Sequence, residues 1–391
     1  MRREIDLLLN NCNLIDGTGS EIKKNVHIGV KNKKIVFIEN KVINNVINDE
    51  CKILNLNGAT ILPGFINAHA HTGFKYIKDE VCEGFQIEYL NACIREGITT
   101  IRDEGMLSDA SIDNMLKQKN LLDQSTSHPN VIVTGKFFSA PGGYGGQAPI
   151  TVSTVEEVRQ KVNEIIDQGI RVIKTVLDDG MDPSTFGLPK LSEELLKEIC
   201  NVAHSRGAKV SAHVTQAHNL EVLVRAGIDD AGHMVYDNLS DDLINDMIEK
   251  NIYFVPTLTV FKFIQDKYGA PILESAMNNL KRFIKAGGKI ALGDDFIEEE
   301  EPWYRLGMPL IEIELLQECG VTPMEIIVAA TKHGSEVCNA SKEIGTVEVG
   351  KNADLLILKD NPLENFNNIR NILMVIKDGN IIVNKDVNLK L

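Results

Sequence analysis

Two kinds of hydrophobic pattern divide the chain. Residues 1–57 and 345–385 carry short apolar runs separated by glycine, asparagine and lysine, a pattern typical of strands joined by turns. Between these ends, apolar runs alternate with longer amphipathic stretches. We interpret eight of the runs as buried strands, at residues 61–66, 99–102, 131–134, 171–176, 209–213, 229–233, 252–256 and 289–292.

The stretches between these runs have helical signals at both ends. Thr154 is followed three residues later by Glu157, the spacing of a capping box, and Ser192 is the expected N-cap of a later helix. Glycines such as Gly169 and Gly207 stand where helices end before the next strand. The middle of the chain therefore predicts repeated pairs of a strand and a helix.

Repeated strand–helix pairs predict the architecture. Buried strands that alternate with amphipathic helices form parallel sheets, and eight such units close into a barrel. We predict an α/β fold with a (β/α)8 TIM barrel over residues 58–340. The two chain ends, residues 1–57 plus 341–391, are expected to meet in a small composite β-sandwich.

The charge and composition of the chain argue against several kinds of partner and location. Asp and Glu total 55 against 41 for Lys and Arg, so the formal net charge is −14. Nucleic acids and anionic membranes require a basic surface, so we expect neither as a partner. No apolar run approaches the roughly 20 residues of a membrane span, and charges interrupt the apolar stretch that a signal peptide would need. The seven cysteines include no CxxC pair, which favours reduced thiols in a cytoplasmic protein.

Histidines and aspartates stand at the ends of several predicted strands. His69 and His71 end the first strand, and side chains two residues apart on a strand point the same way. His213 and His233 end the fifth and sixth strands, and the pair at 294–295 follows the eighth. Such residues converge on the mouth of a barrel, where barrel active sites lie. Imidazole and carboxylate together suit a divalent metal such as zinc.

Lys174 lies inside the fourth predicted strand, between apolar neighbours. Lysine is seldom fully buried without a partner, although its stem can also extend toward solvent at the barrel mouth. A second interpretation is that the amine has reacted with carbon dioxide. The resulting carbamate is an anion whose two oxygens can bridge two metal ions.

These residues together resemble the amidohydrolase superfamily, in its binuclear subtype with a carbamylated lysine. The segment 63–71 is similar to the first-strand signature of that superfamily, and 345–355 to its return into the β-sandwich. The segments 99–103, 141–146 and 255–258 resemble the branch that contains imidazolonepropionase-related and prolidase-like enzymes.

The resemblance implies two divalent ions, most often Zn²⁺. His69, His71 and Asp295 would hold one ion, His213 and His233 the other, and carbamylated Lys174 and a hydroxide would bridge them. Asp295 takes the place of the family's aspartate, and Asp294 is the alternative. The list of expected metal ligands is therefore His69, His71, Lys174, His213, His233 and Asp295.

The expected reaction is hydrolysis of a C–N bond in an amide, dipeptide, cyclic amide or urea. Two metals lower the pKa of a bridging water, and Asp295 would accept its proton and pass it to the leaving nitrogen. A small-molecule substrate would contact residues near the mouth, and barrels of this kind often form homo-oligomers. The candidate substrate residues are Asp103, Tyr144, Gln147 and His218.

Two other functions stay open on the sequence. A deaminase with one metal would need a glutamate close after the fifth-strand histidine, but the first glutamate after His213 is Glu221. A catalytically inactive scaffold protein usually lacks some of the ligands, whereas every expected position is filled here. We therefore favour the hydrolase with two metals.

Overall fold

The computed structural model describes residues 5–41, 51–77, 80–105, 111–145, 148–180, 185–298 and 305–385. The strands are Leu7–Leu14 (β1), Lys23–Lys31 (β2), Lys34–Glu39 (β3), Lys52–Asn55 (β4), Thr60–Pro63 (β5), Phe65–Ile77 (β6), Glu80–Glu83 (β7), Ile98–Asp103 (β8), Asn130–Val133 (β9), Phe138–Ser139 (β10), Ile150–Thr151 (β11), Val172–Val176 (β12), Lys209–His213 (β13), Asp230–Gly232 (β14), Tyr253–Val255 (β15), Phe296–Glu298 (β16), Leu355–Leu358 (β17), Ile372–Lys377 (β18) and Asn380–Asn384 (β19).

The α-helices lie mostly between the central strands. They are Ile87–Arg95 (α1), Ile112–Asp123 (α2), Val155–Asp167 (α3), Glu193–Ser205 (α4), Ala217–Ala226 (α5), Asp241–Glu249 (α6), Leu258–Tyr268 (α7), Leu273–Lys285 (α8), Leu310–Glu318 (α9), Pro323–Val328 (α10) and Gly334–Val337 (α11). The predicted N-caps are present: Thr154 and Glu157 form a capping box at α3, and the Ser192 side chain caps α4.

Both ends of the chain contribute to one eight-stranded sheet. Its order is β19-β18-β17-β5-β1-β2-β3, and β4 pairs with β1. Strand β5 connects the two chain ends, since it runs parallel to β1 and antiparallel to β17. Apolar side chains from β1, β2, β17 and β18 form a buried cluster of their own, which includes Leu9, Ile28, Ile357 and Met374.

The central strands form two sheets whose neighbours are mostly parallel. One has the order β11-β10-β12-β13-β14-β15, and the other has the order β16-β6-β8-β9 with β7 paired to β6. The segment after α8 contacts both sheets, because Ala291 N donates to Phe254 O at 2.9 Å and Ala68 N donates to Leu292 O at 2.7 Å. Residues 291–292 therefore link the middle of β6 to β15.

The predicted first strand is split in two. Thr60–Pro63 belongs to the sheet of the chain ends, and a second strand begins at Phe65. At Gly64 the backbone passes so close to Thr99 that a Cβ would lie 2.2 Å from its hydroxyl oxygen. Glycine therefore allows the close contact at the point where the chain passes from one sheet to the next.

No helix among the described residues combines the length and apolar character that crossing a lipid bilayer requires.

Candidate metal centre

His69, His71 and Asp295 form a compact group at the middle of β6, which continues past the two histidines to Ile77. One donor atom from each lies within 4.8 Å of the others, and all three residues are buried. Asp295 Oδ1 is 3.2 Å from His69 Nε2 and 3.3 Å from His71 Nε2. The two histidines point the same way because one residue separates them on a strand.

The backbone holds Asp295 against β6. Its N–H donates to His69 O at 2.9 Å, and its φ of 55° lies in the left-handed region. His233 and Thr257, which follow the neighbouring strands β14 and β15, also have positive φ values of 93° and 49°. Non-glycine residues adopt this conformation at a cost that is typical of functional sites.

His213 and His233 lie beside this group. The His233 ring centroid is 4.5 Å from that of His213 and 4.7 Å from that of His69. His213 Nε2 is 3.8 Å from Asp178 Oδ2, and the Tyr144 ring is centred 5.0 Å from the His213 ring. The structure therefore brings the four predicted histidines and Asp295 to one place.

Outer hydrogen bonds orient two of the rings. His71 Nδ1 lies 2.8 Å from Gly105 O, and His233 Nδ1 lies 2.8 Å from Thr257 Oγ1. A carbonyl oxygen can only accept, so His71 Nδ1 carries the proton and its Nε2 offers a lone pair. Contacts of this kind fix the tautomer of histidines that bind metals.

Burial keeps three of the imidazoles uncharged. Loss of water lowers the pKa of His69 to about 4, and it lowers the pKa of His213 and holds that of His233 well below its usual value. Burial opposes ionisation of Asp295 as well, but the His69 and His233 rings hold its pKa well below the usual range. These three rings thus offer neutral nitrogens and Asp295 an ionised carboxylate, the forms that bind divalent metals, whereas the Asp295 carboxylate raises the pKa of His71.

Two glycines make room for these side chains. A Cβ on Gly232 would lie 2.8 Å from His69 Cε1 and 3.1 Å from Lys174 Nζ. A Cβ on Gly293 would lie 2.7 Å from His69 Cβ and 2.6 Å from Val255 Cγ1. Any larger residue at either position would displace the His69 ring.

Asp294 points to a different environment. Its Oδ1 accepts a hydrogen bond from Asn67 Nδ2 at 2.7 Å, and the same nitrogen lies 2.9 Å from the Tyr89 hydroxyl. Burial raises the pKa of Asp294 to about 7. The carboxylate next to the histidines is therefore that of Asp295.

Lys174 lies on β12 with its side chain fully buried. Its Nζ donates to Glu104 Oε2 and lies 5.6 Å from the centroid of the Phe137 ring. Glu104 also lies 2.5 Å from Arg102 Nε, and Asp230 binds the two terminal nitrogens of Arg102. Lys174 is thus paired in this structure, as a buried lysine must be.

The four candidate substrate residues have different surroundings. Asp103 is buried, and its oxygens accept from the backbone of Thr72, Gly73 and Gly105. His218 is largely exposed and pairs with Asp179 at 2.8 Å. Tyr144 lies against His213, and Gln147 lies outside the described residues. The Tyr144 ring packs against the His213 ring, and the Asp103 contacts tie the end of β8 to the middle of β6.

Sequence reasoning missed Glu104, and it gave Asp178 only as a possible pocket residue. Glu104 directly follows β8, and Asp178 follows β12 by two residues. Asp178 accepts from Thr215 N at 2.6 Å and from Thr215 Oγ1 at 2.8 Å, next to His213. The signal that identified the histidines, a polar residue at the end of a strand, also applies to these two carboxylates.

Known proteins share this fold and sequence pattern. The model of the Amidohydrolase family matches residues 60–382. Ochratoxinase from Aspergillus niger is 28% identical over 307 residues, which cover 69% of this chain and 62% of the relative. Imidazolonepropionase from Clostridium tetani is 23% identical over 96% of this chain and 93% of the relative. The ochratoxinase match thus leaves more than a third of that relative's length unmatched.

Solved structures have a similar fold. A Xaa-Pro dipeptidase with methionine bound in its active site superposes with a TM-score of 0.81. It is 22% identical in sequence, and the match covers 96% of this chain and 99% of that one. At this level of identity the superposition shows a shared fold.

Proposed function

The chain belongs to the amidohydrolase family, and from this premise we propose that it is a metal-dependent hydrolase of C–N bonds. One observation carries the proposal. Within the described residues, His69 Nε2 and Asp295 Oδ1 are buried without a hydrogen-bond partner, although they lie 3.2 Å apart, and His71 Nε2 lies 3.3 Å from the same Asp295 oxygen. Buried polar atoms are nearly always satisfied, so atoms arranged in this way fit a bound cation.

The donor set fits two divalent ions. His69, His71 and Asp295 would hold one, while His213 and His233 would hold the other. Neutral imidazoles with a carboxylate are typical of zinc sites. Lys174, carbamylated by carbon dioxide, would supply the bridging carboxylate, and its position beside the His69 ring supports that role.

Two bound divalent ions would supply a hydroxide at neutral pH and polarise the carbonyl of the substrate. Asp295 is placed to accept the proton of the attacking nucleophile, because its carboxylate is ionised and lies among the histidines. It would then deliver that proton to the leaving nitrogen, which is a poor leaving group as an anion. Thr257 and Gly105 would keep the His233 and His71 rings in place.

The arrangement of the sheets also supports a proposal about how the central strands close into a barrel. We infer that the two central sheets and the segment 290–292 form one closed (β/α)8 barrel over residues 58–340. Hydrogen bonds from Ala291 to β15 and from Ala68 to Leu292 support the closure on one side. The eight-stranded sheet would form a β-sandwich domain from residues 1–57 plus 341–391, extended by strand β5.

The substrate class follows from the relatives. An ochratoxinase and a Xaa-Pro dipeptidase are among the proteins similar to this chain. We therefore expect a small-molecule amide or dipeptide first, and a cyclic amide or urea second. Tyr144, whose ring lies 5.0 Å from that of His213, would contact the substrate.

Hydrolysis of a compound set by the zinc-loaded protein tests the proposal. The set contains dipeptides, N-acyl amino acids, cyclic amides, aryl ureas and lactones, and the Asp295→Asn variant is the blank. We expect turnover of one C–N class that is lost in the blank. Turnover of lactones alone, or equal turnover by the blank, would contradict the proposal.

A further inference from the structure

The start of α7 differs from the starts of five other helices. Helices α2, α3, α4, α6 and α10 each follow a serine or threonine whose own side chain accepts a hydrogen bond from a backbone N–H in the first turn. Thr257 holds the same position before α7, but its side chain makes no capping hydrogen bond. Its hydroxyl oxygen lies 2.8 Å from His233 Nδ1 instead. The first turn of α7 therefore needs another acceptor for its N–H groups.

Glu312, in the first turn of α9, supplies that acceptor. Its Oε2 accepts from Thr259 N at 2.7 Å and from Thr259 Oγ1 at 2.8 Å. Both side chains are buried, at 0% exposure for Glu312 and 2% for Thr259. Burial raises the pKa of Glu312 to about 7, but the ionised and neutral carboxyl groups both offer an acceptor oxygen. Glu312 thus caps α7 in place of Thr257.

The backbone at Thr257 is strained. Its φ of 49° lies in the left-handed region, which β-branched residues rarely adopt. Such a conformation persists only where the surrounding contacts hold it. On the helix side, Val260 N donates to Thr257 O at 3.1 Å, and Glu312 fixes the intervening turn at Thr259. These contacts determine where the Thr257 hydroxyl points.

We propose that Glu312 is a positioning residue for His233, which acts through the start of α7 and the Thr257 hydroxyl. Because Glu312 caps the helix, the Thr257 hydroxyl is left free to hold the His233 ring. Without that cap the first turn of α7 relaxes, Thr257 leaves its strained conformation, and His233 loses its partner. The inference rests on the proposed function in that His233 binds a zinc ion, and it adds a residue outside the set of ligands.

The zinc affinity of the full chain, measured by competition with a chelator, gives the first test. Glu312→Met keeps the size of the side chain and removes the acceptor oxygen. We expect one of the two zinc dissociation constants to rise by about tenfold, since His233 would contact one ion only. Glu312→Gln keeps an acceptor oxygen and should stay within about threefold of the wild type.

A second background separates positioning from a general loss of structure. Thr257→Val already removes the contact with His233, so addition of Glu312→Met should change the zinc affinity by less than about twofold. The midpoint of thermal unfolding should still fall in the double variant, because α7 loses its cap in either background.

Nitrogen-15 NMR of the metal-free protein gives a measurement that needs no zinc. The spectrum shows which nitrogen of the His233 ring carries the proton. We expect one predominant tautomer in the wild type and in Glu312→Gln, because the Thr257 hydroxyl binds Nδ1. Glu312→Met should show a mixture of both tautomers.

Glu325→Met is the matched control. Glu325 Oε2 accepts from Thr322 N at 2.8 Å and from Thr322 Oγ1 at 2.6 Å, the same pair of contacts at the start of α10. This variant should keep the zinc affinity and the His233 spectrum of the wild type. If Glu312→Met does not fold, Thr259→Val removes one of the two contacts and should shift the tautomer ratio in the same direction by less.

Three results would overturn the role of Glu312. One is a folded Glu312→Met, or Thr259→Val in its place, with the His233 spectrum of the wild type. Another is an equal loss of zinc affinity from Glu312→Met in the Thr257→Val background. The third is a Glu312→Gln variant as impaired as Glu312→Met. A wild type that binds no zinc would instead contradict the proposed function, and the metal-free spectra would then decide whether Glu312 positions His233.

Discussion

Two polar clusters lie side by side inside the protein and differ in how their polar atoms are satisfied. In the group of His69, His71 and Asp295, three atoms have no hydrogen-bond partner among the described residues. In the neighbouring set of Lys174, Glu104, Arg102 and Asp230, each charge faces an opposite charge, and the one atom without a hydrogen bond, Glu104 Oε1, lies 2.5 Å from Arg102 Nε. The first cluster fits a bound cation, whereas the second pairs its own charges. The candidate metal centre therefore lies directly beside a set of buried ion pairs.

Asp294 and Asp295 also differ in their surroundings, and substitution of Asp295 should have the largest effect on activity. Asp295→Asn should lower kcat/KM by about 10³-fold, because the variant loses the group that moves the proton. Asp294→Asn should lower it less than about tenfold, since Asp294 binds Asn67. Steady-state kinetics on the substrate found for the zinc-loaded protein measure both. Equal losses in the two variants would contradict the assignment.

Breaking the buried ion pair between Arg102 and Asp230 should reduce stability more than activity. Asp230→Ala leaves Arg102 without its bidentate partner and should lower the free energy of unfolding by about 3 kcal/mol. Asp167→Ala removes an exposed partner of Arg206 and should cost less than about 1 kcal/mol. Urea unfolding of the metal-free proteins measures both values. Similar losses in the free energy of unfolding for the two variants would show that the buried ion pair contributes no more to stability than the exposed one.

The hydrogen bond behind His233 should affect metal affinity. Thr257→Val keeps the side-chain shape but removes the contact with His233 Nδ1, so zinc affinity should fall by about 10- to 100-fold. Thr257→Ser restores the hydroxyl and should recover most of the affinity. Competition with a chelator measures the dissociation constants. Unchanged affinity in the valine variant would mean that His233 is not a ligand.

The stability of the metal-free protein should depend on pH through His69. Burial lowers its folded-state pKa to about 4, below the ordinary value of 6.5. Between these values the unfolded chain binds more protons, so stability is full above pH 6.5 and falls by up to about 1.4 kcal/mol per pH unit toward pH 4. The slope should be smaller in His69→Gln. Identical slopes in both proteins would contradict the buried neutral state of His69.

Several features could be predicted because they depend on local patterns. Thr154 with Glu157 and Ser192 mark helix starts through contacts within four residues. His69 and His71 share a face because the period of a strand is two. The grouping of His213, His233 and Asp295 with them followed from one rule, that polar residues at the ends of parallel strands meet at one edge of the sheet.

Other features depend on contacts between distant residues. Glu104 meets Lys174 across 70 positions in the chain, and no local pattern indicates that pairing. The break at Gly64 reflects close packing against Thr99, which becomes visible only in three dimensions. The contacts of Asp103 with the backbone N–H groups of Thr72 and Gly73 likewise depend on the pairing of β8 with β6, about 30 positions earlier in the chain.

Zinc content after equilibrium dialysis tests the central claim most directly. We expect about two zinc ions per chain for the wild type and clearly less bound zinc for the double variant His69→Ala, Asp295→Asn. Thermal unfolding of the double variant confirms that it is folded. A wild type that retains no zinc, or a folded double variant that retains as much as the wild type, would contradict the proposed metal centre.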